Sequence, residues 1–287
     1  RIGGSDMRKW YSLIDKVYAM ENLRQAFKHV KSNNGAPGID GETVKDFAMA
    51  LEDRLAITHD ELKTGTYKPV PVKRVEIEKE DGGKRPLGIP TVKDRVVQQA
   101  LRQIIEPIFE PDFHPSSYGY RPNRSCQKAV AKAEQFLRRY GLTHVVYMDL
   151  SKCFDTLPHE RIIQGRNRKI SDGRILGLVK QFITTGVMQD SAVAETEGGV
   201  ISPLLANIYL DEFDQKMKGL NIRIMRYAGD ILIFATSPRQ AKRYQEIATH
   251  VLEKDLALTV NTTKTHITSL KQDVSYLGFV IYLGYIG

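Results

Sequence analysis

Tyr147-Met148-Asp149-Leu150-Ser151-Lys152-Cys153-Phe154-Asp155 and Tyr227-Ala228-Gly229-Asp230, the second framed by Arg226 and by Ile231-Leu232-Ile233-Phe234, decide how this chain is read. Each segment ends a short apolar strand, Thr143 to Met148 in one case and Asn221 to Tyr227 in the other, and each strand delivers an acidic residue into a turn. Two distant carboxylates brought together this way suit a pair of divalent ions. Mg2+ ions roughly 3.5–4 Å apart activate a hydroxyl, steady the charge developing on a phosphoryl group and hold the leaving pyrophosphate. Such hard ions want oxygen ligands, and Mg2+ keeps several waters around one or two carboxylates plus substrate phosphates. Asp149 and Asp230 are therefore the candidate catalytic residues and metal ligands. Taken singly, an Asp after a strand serves as readily as a turn residue or helix cap. Their occurrence in order with the segments below favours chemistry.

The chain has 287 residues, 41% of them hydrophobic, which is enough for one large domain or two small ones. No apolar stretch is long enough to cross a bilayer, and no basic helix with a strong apolar face stands out, so a membrane partner is not expected. A formal net charge of +8 favours a polyanion, because Lys and Arg gain free energy by releasing condensed counterions from a phosphate backbone. The two cysteines, Cys126 and Cys153, lie far apart with no His or Cys at ligand spacing. Neither a disulfide framework nor a zinc site is supported, and a reducing compartment fits. The start, Arg1-Ile-Gly-Gly-Ser-Asp-Met-Arg8, lacks the apolar core of a signal peptide and reads as a tag remnant.

From Tyr11 to Lys31, Leu13, Val17, Leu23, Ala26, Phe27 and Val30 recur at helical intervals, and Asn33-Asn34-Gly35 ends the pattern. A turn-rich loop, Ala36 to Gly41, precedes a helix beginning near Thr43. Strand character runs from Tyr67 through Val70, Val72, Val75 and Ile77, turns at Glu80-Asp-Gly-Gly-Lys84 and returns from Arg85 to Ile89, predicting a hairpin with a basic tip. A helix is expected from Val96 to Phe109. Ser117-Tyr118-Gly119-Tyr120-Arg121-Pro122-Asn123-Arg124-Ser125 mixes rings with arginines, a combination that stacks on bases and contacts phosphates. The tyrosines could equally fill core. Ser125 or Asn123 caps a helix reaching about Tyr140. After Asp149, Ile162, Ile163, Ile175, Leu176, Leu178, Val179 and Phe182 are core positions of helices, and His159 is read as a structural polar residue. Gly198-Gly199 lets backbone approach a ligand closely before an apolar helix that follows Ser202. Pro238 to Lys254 reads as a basic amphipathic helix.

In this order the segments resemble the fingers and palm of bacterial group II intron-encoded reverse transcriptases, the maturases, over about Asn22 to Ile286. The resemblance implies an α+β fold, the fingers and palm of a right-hand polymerase, with an antiparallel palm sheet packed on helices. Residues 1–10 would be the tag or a disordered start, 11–140 the fingers with an N-terminal extension and 141–287 the palm, with the thumb and later domains absent. It implies RNA-directed DNA polymerase activity that copies intron RNA, and intron-RNA binding that assists splicing. A catalytically inactive splicing scaffold on the same fold is the alternative. The implied cofactor is Mg2+, two ions in a competent site, with Mn2+ as the other candidate. The implied partners are group II intron RNA, an RNA template with its DNA primer, and dNTPs; a homodimer is not readable. The implied location is the bacterial cytoplasm.

The resemblance also assigns residues. Lys79, Arg85, Phe154 and Lys264 would be nucleotide-binding, with Phe154 as the gate against ribose 2′-hydroxyls. Tyr118, Tyr120, Arg121, Arg124, Gly198, Gly199, Tyr276 and Gly278 would be nucleic-acid-binding, the last two within a primer-grip hairpin, Ser275 to Val280. Two departures bear on competence. Gly229 stands where the family carries the first aspartate of its Tyr-x-Asp-Asp turn. The chain also passes directly from Thr196-Glu197 to Gly198, without the Gly-Thr-Pro-Gln that precedes the double glycine in relatives.

Overall fold

The computed structural model describes residues 12–78, 84–150, 157–158, 161–162, 169–185 and 200–281. The expected tag at 1–10 lies outside them. The chain forms two compact units, Arg1–Pro111 with His159–Leu205, and Asp112–Pro158 with Ala206–Gly287. The units interleave, which differs from the single division after residue 140 expected from the sequence. Two interactions account for it. The helix Cys126–Arg139 buries Ala129, Val130, Ala133, Phe136 and Leu137 in one cluster with Val145, Met225, Leu232 and Phe234, so it belongs with the second unit. The Asp172 carboxylate accepts from the backbone N–H groups of Leu13 and Ile14 at 2.7 and 3.0 Å, which joins its segment to the start of the chain.

The first unit contains α1 (Ile14–Tyr18), α2 (Met20–Asn33), α3 (Val44–Met49), α4 (Leu51–Thr64), the antiparallel pair β1 (Lys73–Glu78) and β2 (Lys84–Ile89), α5 (Val92–Phe109) and, later in the chain, α7 (Gly173–Thr184). Where the sequence pattern predicts one helix from Tyr11, Ala19 breaks it with ψ 130. The Asn22 amide accounts for the break by donating to the Val17 carbonyl at 3.0 Å and to Ala100 at 3.1 Å. Strand β1 begins at Lys73 rather than Tyr67, because the Tyr67 ring is buried and its hydroxyl donates to Asp94 at 2.5 Å. The α5 helix starts four residues before the expected Val96, with the Thr91 hydroxyl accepting from the N–H of Asp94 as its cap. Asp172 caps α7 through Arg174 and Ile175 while holding Leu13 and Ile14, so one carboxylate satisfies four N–H groups.

The second unit is built on a four-stranded antiparallel sheet. Its strands are β3 (His144–Asp149), β4 (Ile224–Tyr227), β5 (Asp230–Ala235) and β6 (His266–Ser269), in the order β4-β5-β3-β6. The hairpin β7 (Val274–Tyr276) and β8 (Phe279–Ile281) stands beside it. The helices are α6 (Cys126–Arg139), capped by Ser125 and not Asn123, α8 (Ser202–Gly219), and α9 (Pro238–His250), which packs on β3 and β5. Strand alternation puts Val145, Leu232 and Phe234 on the face covered by α6, with Tyr147, Asp149 and Asp230 continuing that face.

On β4, Met225 faces the α6 cluster, so Arg226 points to the other side of the sheet. There it is wholly buried and forms a bidentate pair with Asp214 of α8, at 2.7–3.0 Å. Its remaining donors reach Asn207, the Ser117 hydroxyl and the Ala228 carbonyl. One turn from Asp214, Asp211 accepts from the His114 N–H and the Gln215 amide. Burial and then the Asp214 charge push its carboxyl up to about 6. Because the folded value lies above the unfolded one, ionising Asp211 costs stability as pH rises from about 4 through 6. An Asn keeps the acceptor oxygen and discards that cost. Asp211→Asn should therefore be more stable than the parent at pH 7 by roughly 2 kcal/mol, with the difference vanishing below pH 4, as read by urea unfolding across that range.

Candidate active site

The register of the sheet brings the two candidate carboxylates together. Asp149 ends β3, Asp230 opens β5, and the two are direct partners of an antiparallel pair, so their side chains share one face at the strand ends. Each is held by its own set of neighbours. The Asn261 amide and the Lys264 ammonium both lie 3.2 Å from Asp149 Oδ2, and the Asn261 N–H donates to the Asp149 carbonyl at 2.8 Å. The Asn261 side-chain oxygen in turn accepts from the N–H groups of Thr263 and Lys264 and the Thr263 hydroxyl, shaping the loop that carries Lys264. On the other strand, the Tyr147 hydroxyl donates to Asp230 Oδ1 at 2.6 Å, and the Tyr276 hydroxyl donates to the Asp230 carbonyl at 3.3 Å. Burial pushes the Asp230 carboxyl up; the Tyr147 hydrogen bond opposes this, the Asp149 charge adds to it and Lys264 also opposes it. Burial, followed by the bond to Asp230, drives the Tyr147 phenol far above its usual range, so it stays a donor.

The turn between β4 and β5 is Ala228-Gly229. Ala228 has φ 52, a left-handed conformation costing an L-residue about 1–2 kcal/mol. The cost is met by contacts on both sides, because Arg226 Nη1 donates to the Ala228 carbonyl and Leu150 N–H donates to the Gly229 carbonyl at 3.1 Å. Among the described residues the glycines at positive φ are Gly41, Gly65, Gly141 and Gly278, and Gly229 is not one of them. Ser116 to Tyr118 runs alongside β4: Tyr118 N–H donates to the Arg226 carbonyl at 2.8 Å and Arg226 N–H to the Ser116 carbonyl at 2.9 Å. This brings Gly119 against the turn, where a Cβ would lie 2.5 Å from Ala228 N.

The remaining expected site residues fall into four groups. Tyr120 lies with its ring 6.1 Å from that of Tyr227, and Arg124 stacks over Tyr118 at 4.7 Å while donating to the Pro115 carbonyl. Gly278 with Leu277 makes the β7–β8 turn, both at positive φ, as a two-residue hairpin of primed type demands. Arg121 and Tyr276 lie inside the fold. Arg121 is buried, with its guanidinium on the carbonyls of His114 and Ser117, and Tyr276 is 1% exposed beneath Asp230. Lys79, Phe154, Gly198 and Gly199 lie outside the described residues, and Arg85 is placed only by its backbone pairing with Ile77.

Sequence reading did not assign Tyr147, Asn261, Asn207 or Asp214 to the site. Only Tyr147 left a signal, a polar ring two residues before Asp149 and thus on its face. Gly119→Ala should displace the Ala228 turn: the backbone atom it meets cannot swing aside. We expect destabilisation of about 1–3 kcal/mol by urea unfolding, larger than for Ala at Gly177, which has open space.

Residues 77–281 match the family described as Reverse transcriptase (RNA-dependent DNA polymerase). Protein YkfC of Escherichia coli (strain K12) is 35% identical over 310 aligned positions, covering 93% of this chain and 81% of that protein. Those positions outnumber the residues of this chain, so parts of YkfC have no counterpart here. The group II intron-encoded protein LtrA of Lactococcus lactis subsp. cremoris is 35% identical over 209 residues, covering 70% of this chain but only 34% of LtrA. Among solved structures, apo telomerase from Candida tropicalis truncated from its C-terminal domain superposes with a TM-score of 0.52 at 13% identity, covering 79% of this chain and 58% of that one, a likeness of fold. No helix among the described residues is long and apolar enough to cross a membrane. The α+β architecture, the paired carboxylates at the strand ends and these matches together place the chain in the reverse transcriptase family, among its group II intron-encoded members.

Proposed function

We propose that this chain is the polymerase portion of an intron-encoded protein that extends a DNA primer on an RNA template with dNTPs, and that it binds group II intron RNA to assist splicing in the bacterial cytoplasm. The chain spans about a third of LtrA, and the intron-RNA partner rests on likeness to that protein and on the net charge of +8. The pairing of Asp149 with Asp230 across neighbouring strands is the observation that carries the polymerase reading. The family works with divalent metal ions, and Mg2+ is the ion proposed. Asp149 and Asp230 fit a hard cation that takes its other ligands from water and substrate phosphates. Among the described residues no cluster of three or more His, Cys, Asp or Glu is present, and Gly229 offers no side-chain oxygen. When bound, the metal supplies positive charge to the reacting phosphoryl group and acidifies the attacking hydroxyl.

The protein's own groups have separable tasks. Asp149 and Asp230 would hold the ion, and Asn261 keeps Asp149 from rotating away. Lys264, 63% exposed at its side chain, pairs with Asp149 and is free enough at its solvent side to turn toward an incoming triphosphate. Tyr118 and Tyr120 offer rings beside the turn for stacking on bases. Lys79, Arg85 and Phe154 are proposed as nucleotide contacts, and Gly198, Gly199, Arg124 and Gly278 as nucleic-acid contacts, on family likeness.

Gly229 favours a second reading, in which the fold persists as an RNA-binding splicing scaffold without polymerase activity. Loss of one metal-binding oxygen removes several kcal/mol of transition-state stabilisation, on the order of 10³-fold in rate. Primer extension on an RNA template with Mg2+ separates the two. The Gly229→Asp variant should extend primer about 10³-fold faster than the parent. If neither protein makes DNA while both retain intron RNA in filter binding, the scaffold reading replaces the polymerase one.

A further inference from the structure

We propose that Tyr147 is a positioning residue for the metal site, holding the Asp230 carboxylate in the rotamer that presents Oδ2 to a divalent cation. This rests on the proposed assignment of Asp230 as a ligand. Tyr147 lies two residues before Asp149 on β3, so both side chains rise from the same face, and its ring leans on His266, its partner across β6, with centroids 5.4 Å apart. That packing aims the hydroxyl sideways at β5, where it meets Asp230 Oδ1 at 2.6 Å.

The arrangement assigns distinct roles to the two oxygens of one carboxylate. Oδ1 is committed to the phenol, and Oδ2 is left for a cation. A Tyr suits this role because a phenol donates without carrying charge, so it orients the carboxylate without neutralising it, as a Lys would. The constraint matters more here than in a site with a full set of acids. Gly229 contributes nothing, so the free energy of holding an ion depends on Asp149 and Asp230 being preset. Asp149 is already fixed by Asn261, and Tyr147 supplies the matching restraint on the other strand. Tyr276 hydrogen-bonds the main-chain oxygen of Asp230 and not its carboxylate, which makes it an internal control.

The test is Mn2+ binding by the whole chain without nucleotide, read from the loss of the free-ion electron paramagnetic resonance signal, in parent, Tyr147→Phe and Tyr276→Phe proteins. Tyr147→Phe should weaken Mn2+ binding by about 10-fold or more, the usual effect of deleting a hydrogen bond behind a metal ligand. Tyr276→Phe should lower the thermal midpoint yet leave affinity within about 2-fold, since that loss of main-chain support lies behind the ligand-bearing side chain. Equal affinities for parent and Tyr147→Phe overturn the inference and leave the metal-site reading standing. Equal weakening by both variants also overturns it, showing a general loosening of the sheet. A parent that takes up no Mn2+ overturns the metal-site reading, and the positioning role with it.

Discussion

The second unit depends on the buried pair between Arg226 and Asp214. Two charges withdrawn from water cost several kcal/mol each, and the cost is recovered only when geometry and hydrogen bonding are close to complete. Here they are: the guanidinium is bidentate on Asp214 and also reaches Asn207, Ser117 and the Ala228 carbonyl. Each contact ties a different piece of chain to β4. Asp214 and Asn207 fix α8, Ser117 fixes the segment beside β4, and Ala228 fixes the turn. Asn207 closes the loop by donating to the Gly119 carbonyl at 2.8 Å. The carboxylate face is therefore positioned from behind, by a charge on the opposite side of the sheet.

That support explains how a strained turn persists. Left-handed Ala228 would relax in an isolated hairpin, and a side chain at 119 would push it away. With Arg226 holding its carbonyl and Gly119 admitting its backbone, the turn starts β5 at Asp230 and so sets the register against Asp149. A slip of β5 by one residue against β3 would turn Asp230 to the face opposite Asp149, since alternation reverses every side chain of the slipped strand together. The chemistry of the site thus follows from a pairing register, and the register from a buried ion pair.

Much of this was legible in sequence because local pattern carried it. The two acid-bearing strands and the amphipathic helices are each determined within a few residues, whereas the hairpin at Leu277-Gly278 comes from the resemblance and the sequence leaves the cap open between Ser125 and Asn123. What was missed is determined at long range. Ala19 breaks a good helical pattern because Asn22 finds the Val17 and Ala100 carbonyls, the second from a helix far along the chain. Tyr67 has strand character by type but is drawn inward by Asp94. Arg121 and Tyr276 carry groups that suit nucleic-acid contact, yet carbonyls inside the fold claim them. The placement of α6 is likewise set at long range: it precedes the sheet strands in sequence, and its apolar stripe has its partners among Val145, Met225 and Phe234.

Gly229 can be read against this framework. If the turn needed glycine, its presence would be a structural requirement and would say nothing about catalysis. Gly229 is not among the glycines at positive φ, so no left-handed backbone asks for it, and the Leu150 bond to its carbonyl is made by main chain alone. The costly features that aim this turn are all present: the buried Arg226 network, the strained Ala228, the close approach at Gly119 and the tyrosine on Asp230. A chain that keeps the support and lacks one carboxylate has lost donor oxygens without losing the geometry that would place them. On the proposed reading, catalyst and scaffold differ in what this turn presents to a cation and not in the fold that presents it.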